Sequence, residues 1–330
     1  SHAPIRQCIS GSREKAYFFV LDDQGYEHIS CLQLRLFPNR LDIQFEMPVH
    51  EQVAPSLSRI GLEMVQSEIR VLHTGYTTPE VVAGKKERYL KIMERWVEAH
   101  PQDYMERSHV ALTYYSTDRL EEAERAYRFI IEESTCYADR NWVIYTTALL
   151  FLGRTYMKMG RMEDAKTYLL KAENVDRDYI LTQLTLAELY AQFEDHAATL
   201  EHARSVVENK RQMTFFPIDY DEVTYSAHLL IARSHQALSE WPQAVAAFRN
   251  AATVPVDRRS DALGSLSSMY RDLGQLDEAR AALEEALVLA PENPDHLFNV
   301  GVIDLESKRL EKAEQLFEQV IALRPNYTLA

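Results

Sequence analysis

The sequence predicts a mainly α protein, a right-handed α-solenoid of about six helix pairs behind a small N-terminal α/β segment that is mostly strand. Two observations carry this prediction. Apolar residues come in short aromatic and β-branched runs before residue 80 and at helical spacing after Pro79. A small residue then recurs at Ala123, Ala165, Thr199, Ala244, Ala279 and Ala313, at intervals of 42, 34, 45, 35 and 34.

In chain order, Ala16–Leu21 reads as a strand closed by the turn-forming cluster Asp22-Asp23-Gln24-Gly25. Ile29–Phe37 and Leu41–Phe45 read as two further strands with Pro38-Asn39 between them, Leu57–Val65 as a short helix, and Glu68–His73 as a last strand. Val81–Glu98 is a long amphipathic helix that stops at His100-Pro101, since proline cannot continue it. These features divide the chain into a segment over 1–78, a linker helix over 79–101 and a repeat region over 102–330. The repeats fall near 104–137, 146–179, 180–208, 225–255, 260–293 and 294–327.

Fixed offsets tie the repeats together. Twelve residues before each anchor stands a residue small enough for two helices to approach: Ala111, Gly153, Ala187, Ala232, Ser267 and Gly301. Three residues later comes a large one, Tyr114, Tyr156, Tyr190, His235 or Tyr270, replaced in the last repeat by Asp304. Four residues after each anchor come Tyr127, Leu169, Ala203, Phe248, Leu283 and Phe317. Gly160 and Gly274 mark turns that call for a left-handed backbone, and Pro291 and Pro325 end second helices. A generic bundle also repeats its apolar stripe, but requires no small and large residues at fixed offsets. The pattern resembles the tetratricopeptide repeat, a unit of about 34 residues. The third repeat is the weakest, with Thr199 as its anchor and Phe193-Glu194-Asp195-His196 at its turn.

Repeats of this kind expose the first helix of each unit on a concave face. That implies a groove lined by Tyr115, Leu150, Arg154, Met157, Leu184, Glu188, Leu229, Arg233, Arg271 and Phe298, suited to an extended protein segment or a short helix. The apolar connection Phe215-Phe216-Pro217-Ile218 is either tucked against the repeats or a contact site, the tucked reading being preferred. No polar helix follows Pro325 to cover the last repeat, which points to truncation of a longer protein, or to a partner or a second copy covering that end.

Composition narrows the partners. Fifty acidic against 36 basic residues give a net charge of −14, which argues against nucleic acid and anionic membrane. No apolar run approaches the roughly 18 residues of a membrane span, and the N-terminus SHAPIRQCISGSREK lacks a signal-peptide core. Cys8, Cys31 and Cys136 are scattered and odd in number, and no CxxC spacing is present, as expected in the reducing cytoplasm.

The N-terminal strings carry a second resemblance. Leu34-Arg35-Leu36-Phe37-Pro38-Asn39 leads to Pro48-Val49-His50-Glu51-Gln52, then Ile69-Arg70-Val71-Leu72-His73-Thr74-Gly75-Tyr76, then the Lys-rich Gly84–Leu90. In this order, over about residues 15–100, they look like the C-terminal part of bacterial family-2 glycosyltransferases (GT-A type) that carry tetratricopeptide repeats. The resemblance implies that Glu51, in the His50-Glu51 element, is a base toward an acceptor hydroxyl. It also implies that His73 helps hold a divalent Mg²⁺ or Mn²⁺ with the nucleotide-sugar, and that Arg35 meets a phosphate or supports the sheet. Read without it, His50-Glu51 is a surface pair and His73 a buried, hydrogen-bonded histidine. The nucleotide-binding half and its Asp-x-Asp do not precede these strings, and Asp176-Arg177-Asp178 and Asp219-Tyr220-Asp221 lie in the repeats. The chain alone is therefore expected to bind no cofactor and transfer no sugar. It is either a piece of a longer enzyme or an adaptor whose relic sheet caps the repeats.

Overall fold

The computed structural model describes residues 5–6, 8, 15–23, 26–46, 53–73, 79–134, 142–209 and 218–327. The chain forms two compact units, the first comprising 1–176 and 212–219, the second 177–211 and 220–330.

Unit 1 opens with a three-stranded sheet of β1 (Lys15–Asp23), β2 (Tyr26–Leu36) and β3 (Glu63–His73), in the order β2-β1-β3. β1 runs antiparallel to β2, pairing Tyr17 with Leu36, and parallel to β3, pairing Tyr17 with Val65. The parallel pair needs a crossover, which carries α1 (Ala54–Arg59). The crossover packs Val53 and Leu57 onto Ala16, with Leu34, Phe37 and Ile43 around them. Ser56 Oγ pins it further, accepting from Gln44 N at 3.0 Å and donating to Asp42 O at 3.1 Å.

Two local expectations are corrected. Leu41–Phe45 is not a strand: it begins in a turn after Pro38-Asn39, and Arg40 bonds Asp42 at 2.9 Å, leaving Leu41 99% exposed. The short helix lies at 54–59 rather than 57–65. Gly61 at φ 70° follows it, and Met64 and Val65 already belong to β3.

α2 (Pro79–Ala99) buries Leu90, Met93 and Val97 against Val110 and Tyr114. Asp103 links it to α3 (Tyr104–Ser116). Its Oδ1 caps the helix by accepting from Glu106 N at 3.0 Å, while Oδ2 accepts from Trp96 Nε1 at 2.8 Å. α3 pairs with α4 (Leu120–Ser134), and α5 (Trp142–Lys158) with α6 (Met162–Val175). Unit 2 holds α7 (Ile180–Gln192) with α8 (His196–Glu208), α9 (Tyr220–Ala237) with α10 (Trp241–Thr253), α11 (Arg259–Asp272) with α12 (Leu276–Leu289), and α13 (Pro294–Glu306) with α14 (Leu310–Leu323). The apolar connection at 215–217 lies outside the described residues.

All six helix pairs obey one rule. The anchors Ala123, Ala165, Thr199, Ala244, Ala279 and Ala313 are buried, and so are the small residues Ala111, Gly153, Ala187, Ala232, Ser267 and Gly301. A Cβ on Gly153 would meet Leu169 Cγ at 2.6 Å, so only glycine fits there without movement. Five residues before each anchor the backbone is left-handed: Asp118, Gly160, Glu194, Ser239, Gly274 and Lys308, with φ between 57° and 74°. The next amide then bonds back to the large-residue carbonyl, as Arg161 N to Tyr156 O at 2.9 Å and Arg309 N to Asp304 O at 2.7 Å. This closes each first helix in a Schellman turn. The weak third repeat obeys the rule fully, with Glu194 at φ 58° and Asp195 N to Tyr190 O at 3.0 Å.

Candidate functional site

Of the N-terminal candidates, His50 and Glu51 lie outside the described residues. His73 closes β3, its backbone paired with Asp23. Arg35 is exposed on β2 and its guanidinium bonds Gln33. Among the described residues no group of three or more His, Cys, Asp or Glu side chains is placed to hold a metal.

In unit 1 the predicted groove residues Tyr115, Arg154 and Met157 are half-buried on α3 and α5. Two of them assemble around Phe151. Tyr115 meets that ring edge-on at 5.5 Å, Tyr127 from α4 lies nearly parallel to it at 6.1 Å, and the Arg154 guanidinium sits 5.7 Å from its centroid. Lys158 places Nζ 4.4 Å over the Tyr115 ring and bonds Asp118 at 2.6 Å. Arg154 has no carboxylate partner among the described residues. The buried Tyr127 hydroxyl has no hydrogen-bond partner among the described residues. Burial pushes this phenol well above its ordinary value; Tyr115 adds to the rise and Arg154 opposes it. The hydroxyl therefore keeps its proton, and is a donor, throughout the physiological range. Leu150 departs from the expected place: it is fully buried and belongs to the core.

In unit 2 the candidates divide in the same way. Leu184 is buried, and Leu229 packs against core residues of α9, α10 and α11, so both serve packing more than recognition. Glu188 is half-buried on α7. Phe298 lies between Phe317 at 5.5 Å and Tyr327 at 5.4 Å. The Tyr327 hydroxyl donates to Asp295 at 2.7 Å, and burial with that bond pushes it up to about 12. Arg233 is exposed and Arg271 half-buried, and neither forms an ion pair among the described residues.

Comparison with known proteins bears on what these faces are. One tetratricopeptide-repeat family model matches residues 146–179, spanning α5 and α6, and another matches 266–328, reaching from α11 through α14. The chain carries tetratricopeptide repeats. A model for anaphase-promoting complex subunit 5 matches residues 204–262. The fold is similar to that of a tetratricopeptide repeat protein from Parabacteroides merdae ATCC 43184, at 15% identity and a TM-score of 0.51, covering 75% of this chain and 90% of that one. It is also similar to PilW, a type IV pilus biogenesis factor, at 15% identity and a TM-score of 0.53, covering 69% of this chain and 96% of that one. No curated protein matches. The family-model matches all lie between residues 146 and 328, so the glycosyltransferase resemblance rests on the N-terminal motifs alone. Among the described residues no helix is long and apolar enough to cross a membrane.

Sequence reasoning missed Tyr127 and Phe151. Tyr127 sits at a position that reads Leu, Ala or Phe in other repeats, so it passes for packing; the polar atom on an otherwise apolar position was the available signal. The ion-paired role of Asp304 was missed too. Its partners Arg280 and Arg309 lie 24 residues before it and five after it.

Proposed function

We propose that the repeats are a protein–protein interaction module that binds an extended segment or short helix of a partner along their first helices, in the cytoplasm. One observation supports this most directly. Arg154, Arg233 and Arg271, all at first-helix positions, have no carboxylate partner among the described residues, although the chain carries a net charge of −14. Elsewhere Arg161, Arg249, Arg258 and Arg309 each meet an Asp or Glu within 3.4 Å. Guanidinium groups left open, that of Arg154 beside the half-buried Phe151, suit a partner that brings its own acceptors. The test places a photo-crosslinking amino acid at Met157 or Arg233, and at Glu163 or Glu201 on second helices, in living cells. Discrete adducts should form at least several-fold more from the first-helix sites. Equal yields, or adducts only from second helices, would overturn the reading.

Exposed apolar residues on α14, among them Leu310, Ile321 and Leu323, support self-association through that end as part of the same proposal.

The sheet favours a second reading, in which residues 15–73 belong to a sugar-transferring domain served by the repeats. The order β2-β1-β3 leaves β2 and β3 as outer strands among the described residues, each with one edge unpaired there, as a larger sheet would require. On this reading Glu51 accepts the acceptor's proton and His73 contributes to a divalent metal site whose other ligands lie outside the described residues. In the longest form of the protein, Glu51→Gln should abolish transfer from a nucleotide-sugar and leave first-helix crosslinking intact. Full transfer by that variant refutes the assignment.

A further inference from the structure

We infer that the Phe151 cluster of unit 1 is a subsite for the carboxylate of a glutamate or aspartate in a partner's extended segment. The inference rests on the peptide-binding reading above and adds to it the chemistry of one contact.

Three features converge on that ligand. The Arg154 guanidinium, 5.7 Å from the Phe151 centroid, has no anion among the described residues. The Tyr127 hydroxyl on the other arm of the cluster is a buried donor with no acceptor among the described residues. Folded proteins rarely leave such a group unpaired, and an acceptor arriving from outside is one way to satisfy it. One group can serve both donors at once: a planar anion with two oxygens, which a guanidinium fork matches. Phe151 and Tyr115, edge to face at 5.5 Å, then provide an apolar wall for the methylenes of the incoming side chain.

Charge selects the carboxylate over a phosphate. Lys158 is already held by Asp118 at 2.6 Å and by the Tyr115 carbonyl at 3.4 Å. That leaves one uncommitted positive charge at the cluster, which balances a monoanion; phosphate recognition draws on clustered arginines. The Tyr127 hydroxyl is sealed from solvent, whereas Tyr115 and Arg154 are half-exposed. A carboxylate therefore reaches the floor when these two side chains change rotamer, a common adjustment at interfaces.

The experiment uses the full chain and amide-capped nine-residue peptide pools, randomised over uncharged residues around a fixed central Glu, Gln or phosphoserine. Fluorescence anisotropy reads their affinities. The Glu pool should bind roughly tenfold more tightly than the Gln pool, the scale of a hydrogen bond to a charged group. Arg154→Gln should bring that ratio to about one, and Arg154→Lys, which keeps the charge without the fork, to an intermediate value. Tyr127→Phe should lower the ratio several-fold while leaving the thermal midpoint unchanged or higher, because the deleted hydroxyl bonds nothing in the free protein. Equal binding of the Glu and Gln pools overturns the subsite and leaves the peptide-binding reading standing. Failure of every pool to bind overturns both. Tightest binding by the phosphoserine pool overturns the carboxylate assignment. A lower midpoint with an unchanged ratio for Tyr127→Phe makes that residue core and removes it from the subsite.

Discussion

In the second repeat the Tyr156 hydroxyl donates to Glu124 at 2.9 Å and accepts from Arg128 at 3.1 Å, and the Arg161 guanidinium lies 4.3 Å from its ring. The equivalent residue of the sixth repeat is Asp304, a fully buried carboxylate held by Arg280 at 2.9 Å and Arg309 at 3.3 Å. Arg161 and Arg309 occupy the same place, one residue after the left-handed turn residue, and Glu124 and Arg280 each follow an anchor by one. In these two repeats the slot thus ties the first helix to the second helix before it through a polar tip beneath an arginine. The arginine faces a π surface in one repeat and a carboxylate in the other. His235 shows a third solution, its Nδ1 2.5 Å from Glu240 and its Nε2 3.3 Å from Arg204. Backbone constraints are shared across all six repeats, while the slot's chemistry is interchangeable.

Breaking the slot should separate the two solutions most strongly. Asp304→Ala leaves Arg280 and Arg309 without their shared partner, although Glu284 and Asp277 remain in reach. Removing one member of a buried pair costs about 3–5 kcal/mol, and the half-exposed arginines reduce the expected loss to roughly 2 kcal/mol in denaturant unfolding. Tyr156→Phe keeps the ring and the cation–π contact, so about 1 kcal/mol is expected. A larger loss for Tyr156→Phe than for Asp304→Ala would overturn the account of the slot.

The small position sharpens the comparison. An alanine Cβ at Gly153 would lie 2.6 Å from Cγ of Leu169, which is fully buried and cannot retreat. At Gly301 the obstacle is Phe317 Cε1 at 2.7 Å, the end of a half-buried ring that can swing aside. Gly153→Ala should cost about 2 kcal/mol, in the range of core overpacking, and Gly301→Ala about half as much. The turn residues come next. Lys308 and Ser239 hold φ 60° where Gly160 and Gly274 sit at 74° and 73°. Lys308→Gly should raise stability by about 0.5–1 kcal/mol and Gly274→Ala should lower it by about 1 kcal/mol, since the left-handed region strains a side chain. Nothing lies within 4 Å of a Cβ built on Gly274, so backbone strain alone is measured there.

These positions also show how far the sequence could be read. Anchors and small residues were legible because one helix contact recurs six times and admits few residue types. The left-handed turns were legible only at Gly160 and Gly274; Asp118, Glu194, Ser239 and Lys308 adopt the same φ because the flanking helices impose it. Asp304 read as a departure because its compensation lies in Arg280, in a different helix. The short edge pieces failed for a local reason. Leu41–Phe45 has strand-forming letters, yet the Arg40–Asp42 bond and Pro38 close a turn first. Spacing put Tyr115, Arg154, Arg233 and Leu150 alike on the candidate surface and could not distinguish exposed Arg233 from Leu150, which is buried in the core.

The smallest effect expected concerns pH and belongs to unit 2. His296 is buried, its Nε2 has no hydrogen bond among the described residues, and Asp261 Oδ1 stands 3.9 Å away. Burial holds this imidazole below its ordinary value, with Asp261 and Asp295 opposing, and burial does the same to His228. A histidine depressed in the folded state is protonated first in the unfolded chain. The stability it contributes is therefore complete above about pH 6.5 and declines as pH falls through the folded value. Denaturant midpoints should fall between pH 7.5 and 5.5, a window that stays above the ordinary carboxylate range, and the fall should shrink in a His228→Asn, His296→Asn double variant. Identical acid losses in wild type and double variant would sink the assignment. Asp261→Asn provides the opposite check. It removes the charge that partly rescues the imidazolium, so the acid loss should deepen, whereas an unchanged loss would mean that 3.9 Å leaves Asp261 and His296 uncoupled.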